Sequence, residues 1–238
     1  MNRTQISWTD RSWNPVTGCS QISIGCKNCY AKALSKRFGR SFEVTLHPER
    51  LDWVKRLKPG EKCFVNSMSD LFHSDVPTHF IGEVIRAMES RPDCIFQVLT
   101  KRPRNMVSAL KELGWLLPVP GHTLKNVWWG VSVENGAHTD RIVELSGMPE
   151  TQGKRFVSFE PLLGPIQDVY LKGIDWVIIG GESGPGHRPM DIEWARSIVQ
   201  QAKAQGAAVW MKQLGGPRAG TPLEDLPDDL RIREMPQW

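Results

Sequence analysis

Six short apolar runs recur along the chain: KCFVNSM (62–68), CIFQVLT (94–100), NVWWGVSV (126–133), KRFVSFE (154–160), DWVIIGG (175–181) and AAVWMKQ (207–213). Several are continuously apolar instead of alternating, the pattern of strands covered on both faces. Between them, HFIGEVIRAMESR (79–91), PRNMVSALKELG (103–114), AHTDRIVELSG (137–147) and DIEWARSIVQQAKAQG (191–206) place apolar residues at i, i+3, i+4 and i+7. That spacing predicts amphipathic helices, the last opening on an Asp191 N-cap and closing at Gly206. Strand alternating with helix requires parallel β-α units, and right-handed crossovers assemble such units into a barrel or an open doubly wound sheet. A short first strand around Trp13 to Val16 precedes the series. One domain over residues 1–238 is expected at this length, with LLPVPGHT (116–123) as a long loop and 216–238 as an irregular C-terminal tail.

Polar residues stand at the carboxyl end of each run. They are Ser67, Ser69 and Asp70 after the first, Thr100 and Lys101 at the second, Ser132 and Glu134 at the third, Ser158 and Glu160 at the fourth, Gly181 and Glu182 at the fifth, and Lys212 and Gln213 at the sixth. One strand ends this way wherever it meets solvent. A whole series of such ends points to a shared pocket, because side chains leaving parallel strands converge there. Trp128 and Trp129 are neighbours on one strand and must face opposite sides, one filling the barrel and the other packing under a helix.

The segment TGCSQISIGCKNCYA (17–31) gathers Cys19, Cys26 and Cys29, three of the five cysteines. An odd count argues against a disulfide framework, and MNRTQISWTDRSW lacks the apolar core of a secretory signal, so a reducing cytoplasm is the expected location. No run approaches the roughly 18 apolar residues of a membrane span. Three chemistries fit clustered thiols. Three thiolates can hold an iron–sulfur cluster with one iron left open to a small molecule. A structural zinc site needs a fourth ligand, but the nearest histidine in sequence is His47, and Cys63 and Cys94 begin strands at the end away from the loop. A C-x-x-C redox pair would use Cys26 and Cys29 and leave Cys19 without a role.

With those motifs the chain resembles the radical S-adenosylmethionine (SAM) superfamily, most closely the phage Gp37/Gp68-like (three-Cys-motif) proteins and more distantly the spore photoproduct lyases. The resemblance runs through WNPVTGCSQISIGCKNCYA, NSMSDLFH, LTKRP, GVSVEN, SFEPLLGP and GGESG and so covers essentially the whole chain. It implies a partial (β/α)6-type TIM-like barrel of parallel strands, with Cys19, Cys26 and Cys29 as the metal ligands of a [4Fe–4S] cluster. It further implies SAM as cosubstrate, cleaved to methionine and a 5′-deoxyadenosyl radical. Lys101 is then the partner of the SAM carboxylate. Ser69, Ser132 and Glu134 meet its ribose or methionine groups, Tyr30 packs over cluster or adenine, and Ser67, Asp70 and Glu160 complete the cofactor-binding set. Lys101 and Glu182 are the candidate catalytic residues, Glu182 reaching SAM or substrate from the far side of the barrel.

Two departures stand out. The superfamily's common spacing is C-x3-C-x2-C with an aromatic residue before the third cysteine, whereas here six residues separate the first pair and Asn28 precedes Cys29. The usual GGE follows the second strand, and here Gly180, Gly181 and Glu182 come four strands later. NSMSDLFH also lacks the hydrogen-donating cysteine of the photoproduct lyases, which argues against that enzyme's dimer reversal.

The expected substrate is a nucleic acid or nucleotide, consistent with a formal charge of +4 and with the tryptophan content, though core packing is the plainer use of the tryptophans. The run Lys101, Arg102, Pro103, Arg104 is either a phosphate contact or a solvated face. His73 and His79 cap or pack. His187 and Arg188 sit on a Gly-rich turn whose amides can cradle an anion. A radical enzyme of this length needs an external electron donor, and a macromolecular substrate or a partner protein to cover the barrel mouth. The alternative is a non-catalytic zinc- or Fe–S-binding module that recognises nucleic acid or a partner protein.

Overall fold

The computed structural model describes residues 4–116, 123–149 and 153–237. Its strands are β1 (Arg11–Trp13), β2 (Val16–Thr17), β3 (Thr45–Leu46), β4 (Lys62–Val65), β5 (Ile95–Thr100), β6 (Val127–Ser132), β7 (Arg155–Phe159), β8 (Trp176–Gly180) and β9 (Ala208–Gln213). Its α-helices are α1 (Tyr30–Arg37), α2 (Thr78–Glu89), α3 (Pro103–Glu112), α4 (Asp140–Ser146) and α5 (Ile192–Ala204). Seven strands form one parallel sheet in the order β1-β4-β5-β6-β7-β8-β9, curled into a half-barrel, and β2 and β3 make a small antiparallel ribbon. The protein is therefore an α/β half-barrel of the expected kind, with one more strand than the six apolar runs supply. The predicted first strand is two short ones. Asn14 and Pro15 interrupt the ladder, so β1 stays in the sheet while β2 turns away to meet β3.

The period of two along each strand divides the core into two layers. Val65, Val98, Trp129, Val131, Val157 and Ile179 face outward onto Ile85, Met88, Leu110, Ile142, Leu145 and Ile198 of the helices. Phe64, Ile95, Trp128, Phe156, Trp176 and Ile178 face inward and, with Trp8 from the segment before β1, fill the lower half of the barrel. The inner rings pack edge to face, with centroids 4.7 Å apart for Trp8–Phe64 and 5.9 Å for Trp128–Trp176, a preferred aromatic arrangement. Gly130 makes this layer possible, since a Cβ there would come within 2.3 Å of the Phe156 ring. Trp128 and Trp129 thus divide between the layers as their adjacency requires.

Asp191 caps α5 by accepting from Glu193 N (2.9 Å), and Gly206 after the helix takes φ +80°. The 3₁₀ helix Pro48–Arg56 was not evident in the apolar pattern. Residues 117–122, most of the predicted long loop, lie outside the described residues. The tail has no long regular element, yet it is docked. Leu226 and Leu230 are buried, and residues 232–234 run antiparallel along the free edge of β9 through Met211 N to Ile232 O (2.8 Å) and Glu234 N to Val209 O (2.8 Å). Among the described residues no helix is long and apolar enough to cross a membrane.

Candidate iron–sulfur and cosubstrate site

The cysteine loop lies at the carboxyl ends of the sheet strands. It leaves β2 through Gly18, whose φ of +81° and backbone crowding by Glu43 O leave no room for a side chain. Gly18 N donates to Met68 O (3.1 Å) and Cys19 N to Phe42 O (3.1 Å). Ser23 then opens a 3₁₀ turn over Ile24–Cys26, and Cys29 is the N-cap residue of α1. Burial raises the Cys19 pKa against the pull of the Arg102 guanidinium. At Cys26 burial is outweighed by hydrogen bonds from backbone and hydroxyl at Ile22 and Ser23, and its pKa is lowered.

Three buried carboxylates at the strand ends anchor this loop, each through or beside a cation. After β4, Asp70 accepts from Thr100 Oγ1 (2.7 Å), Lys101 N (3.1 Å), Phe72 N (3.0 Å) and Arg102 Nη1 (3.1 Å). The guanidinium so held reaches Cys19 Sγ at 3.6 Å and Ser20 O at 3.1 Å. His73 joins it. Its Nδ1 accepts from Asp75 N (3.1 Å), so Nε2 carries the proton and donates to Ser20 Oγ (2.6 Å). After β6, the wholly buried Glu134 accepts from Ser23 Oγ (2.6 Å), Lys101 Nζ and Arg141 Nη1 (2.9 Å). Burial alone would raise its pKa, but Lys101, the Ser23 hydroxyl and Arg141 lower it. After β8, Glu182 accepts from Asn28 Nδ2 (2.8 Å) and from Arg188 N (2.9 Å), Nε (2.9 Å) and Nη2. Arg188 Nη1 also reaches Ile24 O (3.0 Å). Burial opposes ionisation of Glu182, yet these hydrogen bonds bring its pKa down to about 2.

Both departures from the common cysteine motif acquire a physical reason here. The longer first spacing supplies Ser23 for Glu134 and a main-chain oxygen at Ile24 for Arg188, and Gly25 sits where a Cβ would come within 2.4 Å of the Glu134 carboxylate. Asn28 replaces the aromatic residue and donates to Glu182 and to Gly186 O (2.9 Å). The Gly-rich turn around His187 does cradle an anion, and that anion is the side chain of Glu182.

The other expected residues divide by partner. Ser67 Oγ lies 2.7 Å from Ser12 Oγ, its carbonyl accepts the Tyr30 hydroxyl, and Ser69 Oγ donates to Val16 O (2.7 Å). Asp70, Glu134 and Glu182 all accept from protein donors that hold the loop. Glu160 accepts from Ser158 Oγ (3.0 Å) and pairs with Lys212 (2.8 Å). Gly180 lies opposite Glu160, with no room for a Cβ. Ser132 is buried above Trp128 on the same inward-facing row of β6. The run 101–104 is not an outward phosphate face: Lys101 and Arg102 turn inward, while Arg104 pairs with Glu144 (3.0 Å). Arg102, Arg141, Arg188, Ser20, Ser23 and Asn28 are the site residues that strand-end logic missed. Ser20, Ser23, Asn28 and Arg102 already stood inside the quoted motifs.

Cys63 and Cys94 are buried at the amino ends of β4 and β5, remote from the loop. Among the described residues no three His, Cys, Asp or Glu side chains gather closely enough for a single metal ion. A cubane cluster asks for a different arrangement, because its thiolates bind separate irons and need not converge on one point. Three part-exposed thiols on one loop and no fourth in reach fit that donor set.

A sequence search of curated proteins finds no match. Among solved structures the fold is similar to spore photoproduct lyase complexed with dinucleoside spore photoproduct (TM-score 0.50, 12% identity) and to a mutant of that lyase (TM-score 0.51, 12% identity). In both cases 85% of this chain is covered, and the match spans 63% of the other chain. These likenesses concern the fold. The family model "Protein of unknown function (DUF5131)" matches residues 3–225, a description that mentions neither phage nor activity, and the chain belongs to that family.

Proposed function

We propose that this protein is a radical SAM enzyme in which Cys19, Cys26 and Cys29 hold a [4Fe–4S] cluster, and that its substrate is a nucleic acid or nucleotide. The observation that carries this is the loop itself: three thiols on one segment, fastened over the barrel mouth by separate carboxylate clusters at the ends of β4, β6 and β8. When bound, such a cluster supplies the electron and the open iron for reductive cleavage of SAM. The chain's own residues do the placing. Arg102 lies against Cys19 with its guanidinium fixed by Asp70. Lys101 projects from the end of β5 with its side chain one-fifth exposed and its ammonium on Glu134, so an incoming carboxylate would share that ammonium with Glu134. Below the mouth, Ser132, Ser158 and the Glu160–Lys212 pair line a polar layer, and the aromatic layer beneath it closes the barrel to water from that end. The similar fold of a lyase complexed with a dinucleoside photoproduct supports the substrate class.

Anaerobic purification tests the reading. The expected product is a brown protein with broad absorbance near roughly 400 nm, lost on Cys→Ala substitution at position 19, 26 or 29. Dithionite and SAM should then yield 5′-deoxyadenosine, and DNA should increase the yield. A colourless protein carrying zinc, with no 5′-deoxyadenosine, would overturn the proposal in favour of a binding module.

A further inference from the structure

Helix α1 follows the loop's third cysteine directly, and among the α-helices of the described residues it is the one without a proper seat. α2 buries Phe80, Ile81, Val84, Ile85 and Met88, and α5 buries Ala195, Ile198, Val199 and Ala202, whereas α1 buries only Ala31. Its apolar residues fall at i, i+4 and i+8 and face solvent: Tyr30 is 49% exposed, Leu34 37% and Phe38 64%. Ile22 and Ile24 of the cysteine loop are exposed as well, so five of the seven large exposed apolar side chains among the described residues lie between positions 22 and 38. Eight residues are too few for a helix to be stable in water by itself, which is why most short helices are held by packing of an apolar face. An apolar patch concentrated in this way marks an interaction surface.

Its charge states the chemistry of the partner. Residues 18–42 contain Lys27, Lys32, Lys36, Arg37 and Arg40 and no carboxylate, so this segment carries +5 while the whole chain carries +4. The basicity of the protein is thus confined to the segment that bears the cysteines. Two kinds of macromolecule could answer it, and the apolar residues favour one. Ile22, Ile24 and Leu34 are aliphatic and offer no ring for bases to stack on, while the two rings of the patch are already engaged, Tyr30 through its hydroxyl on Ser67 O and Phe38 under the Arg40 guanidinium at 5.8 Å; such a patch suits the centre of a protein interface whose rim is polar.

We infer, building on the cluster reading above, that the Tyr30–Leu34–Phe38 face of α1 with its ring of cations is the docking surface for an acidic one-electron carrier protein that reduces the cluster. The step balances simply: the carrier loses one electron and the cluster gains it, with no bond made or broken. Each reductive cleavage draws one electron from the cluster, and that electron has to be resupplied from outside the chain. The surface contiguous with Cys29 is the direct route. Attraction between an acidic carrier and this basic face should quicken encounter and fade with salt.

The test uses the intact protein and a flavodoxin as probe, an acidic flavin-bearing protein. Two double variants leave the cysteines and their anchors untouched: Leu34→Glu with Phe38→Glu, and Lys32→Glu with Lys36→Glu. Both should weaken binding of oxidised flavodoxin by about tenfold or more, and wild-type binding should itself weaken with added salt. Flavodoxin-supported formation of 5′-deoxyadenosine should fall in step, while dithionite-supported formation stays at the wild-type level. Unchanged flavodoxin binding in both variants would overturn the inference, as would absence of binding by the wild type or loss of DNA binding in place of flavodoxin binding. If dithionite gives no 5′-deoxyadenosine even in the wild type, the radical reading fails instead, and the binding measurement still decides the surface.

Discussion

Along β6 the inward side chains run Trp128, Gly130, Ser132, and along β7 they run Phe156, Ser158, then Glu160 just beyond the strand. Either strand therefore passes from aromatic to small to polar as it climbs from the closed bottom of the half-barrel to its mouth. At the bottom, indole and phenyl rings from the segment before β1 and from β4, β6, β7 and β8 interlock, and order comes from shape. At the mouth, order comes from charge. Asp70, Glu134 and Glu182 lie far apart in sequence, and each has recruited a cation and a piece of the cysteine loop. The comparison teaches a division of labour: the aromatic end secures the fold, and the charged end uses part of that security to hold an otherwise irregular loop in one place.

The division can be broken by experiment. Trp176→Ala or Phe156→Ala should lower stability in denaturant titrations by about 3–5 kcal/mol, with iron per folded molecule unchanged; iron lost in proportion would show that the two ends are coupled. Next comes the Glu182 cluster. Because the Glu182 carboxyl is depressed from 4.5 to about 2, its contribution is fully present above pH about 4.5 and disappears as pH falls towards 2, a loss on the order of 3 kcal/mol. In Glu182→Gln that part of the pH dependence should be missing from acid unfolding curves, and the cysteine loop should exchange its amide hydrogens faster. Gly130→Ala forces a methyl against the Phe156 ring and should cost about 1–3 kcal/mol, read by thermal unfolding, again with iron retained. The smallest effect belongs to Ser23→Ala. Removing one donor from Glu134 should cost about 1 kcal/mol in stability, yet it should hasten iron loss to a chelator, a signature the aromatic variants lack.

The sheet was legible because buried parallel strands are written as uninterrupted apolar runs: all six runs contain strands, five of them to within a residue at either end, while KCFVNSM stops at Val65, before Asn66 at φ +60°. The helices were legible from their period, and the cysteine loop from its spacing. The pairing of the strand-end carboxylates was not. Position at a carboxyl end says that Asp70, Glu134 and Glu182 reach the mouth; it does not say whether they face a ligand or a neighbouring guanidinium. Arg102 is 32 residues from Asp70 in sequence and Asn28 is 154 from Glu182, separations that no local pattern records. Arg188 was closer to recognition, since a Gly-rich turn beside an acid is a ready anion cradle. Trp8 escaped notice because a single residue in an irregular segment has no periodicity to betray the layer it completes.

The strip along β9 has a consequence for how this protein would fail. Residues 232–234 satisfy donors and acceptors of the last strand, and Glu234 O accepts the Trp176 indole proton at 2.9 Å. A protease that clipped the chain just before this strip would leave a bare rim of strand hungry for another backbone, with Trp210 and Trp176 newly wetted beside it. Such damage should announce itself as clumping between molecules well before the thiols at the opposite end of the sheet lose their arrangement.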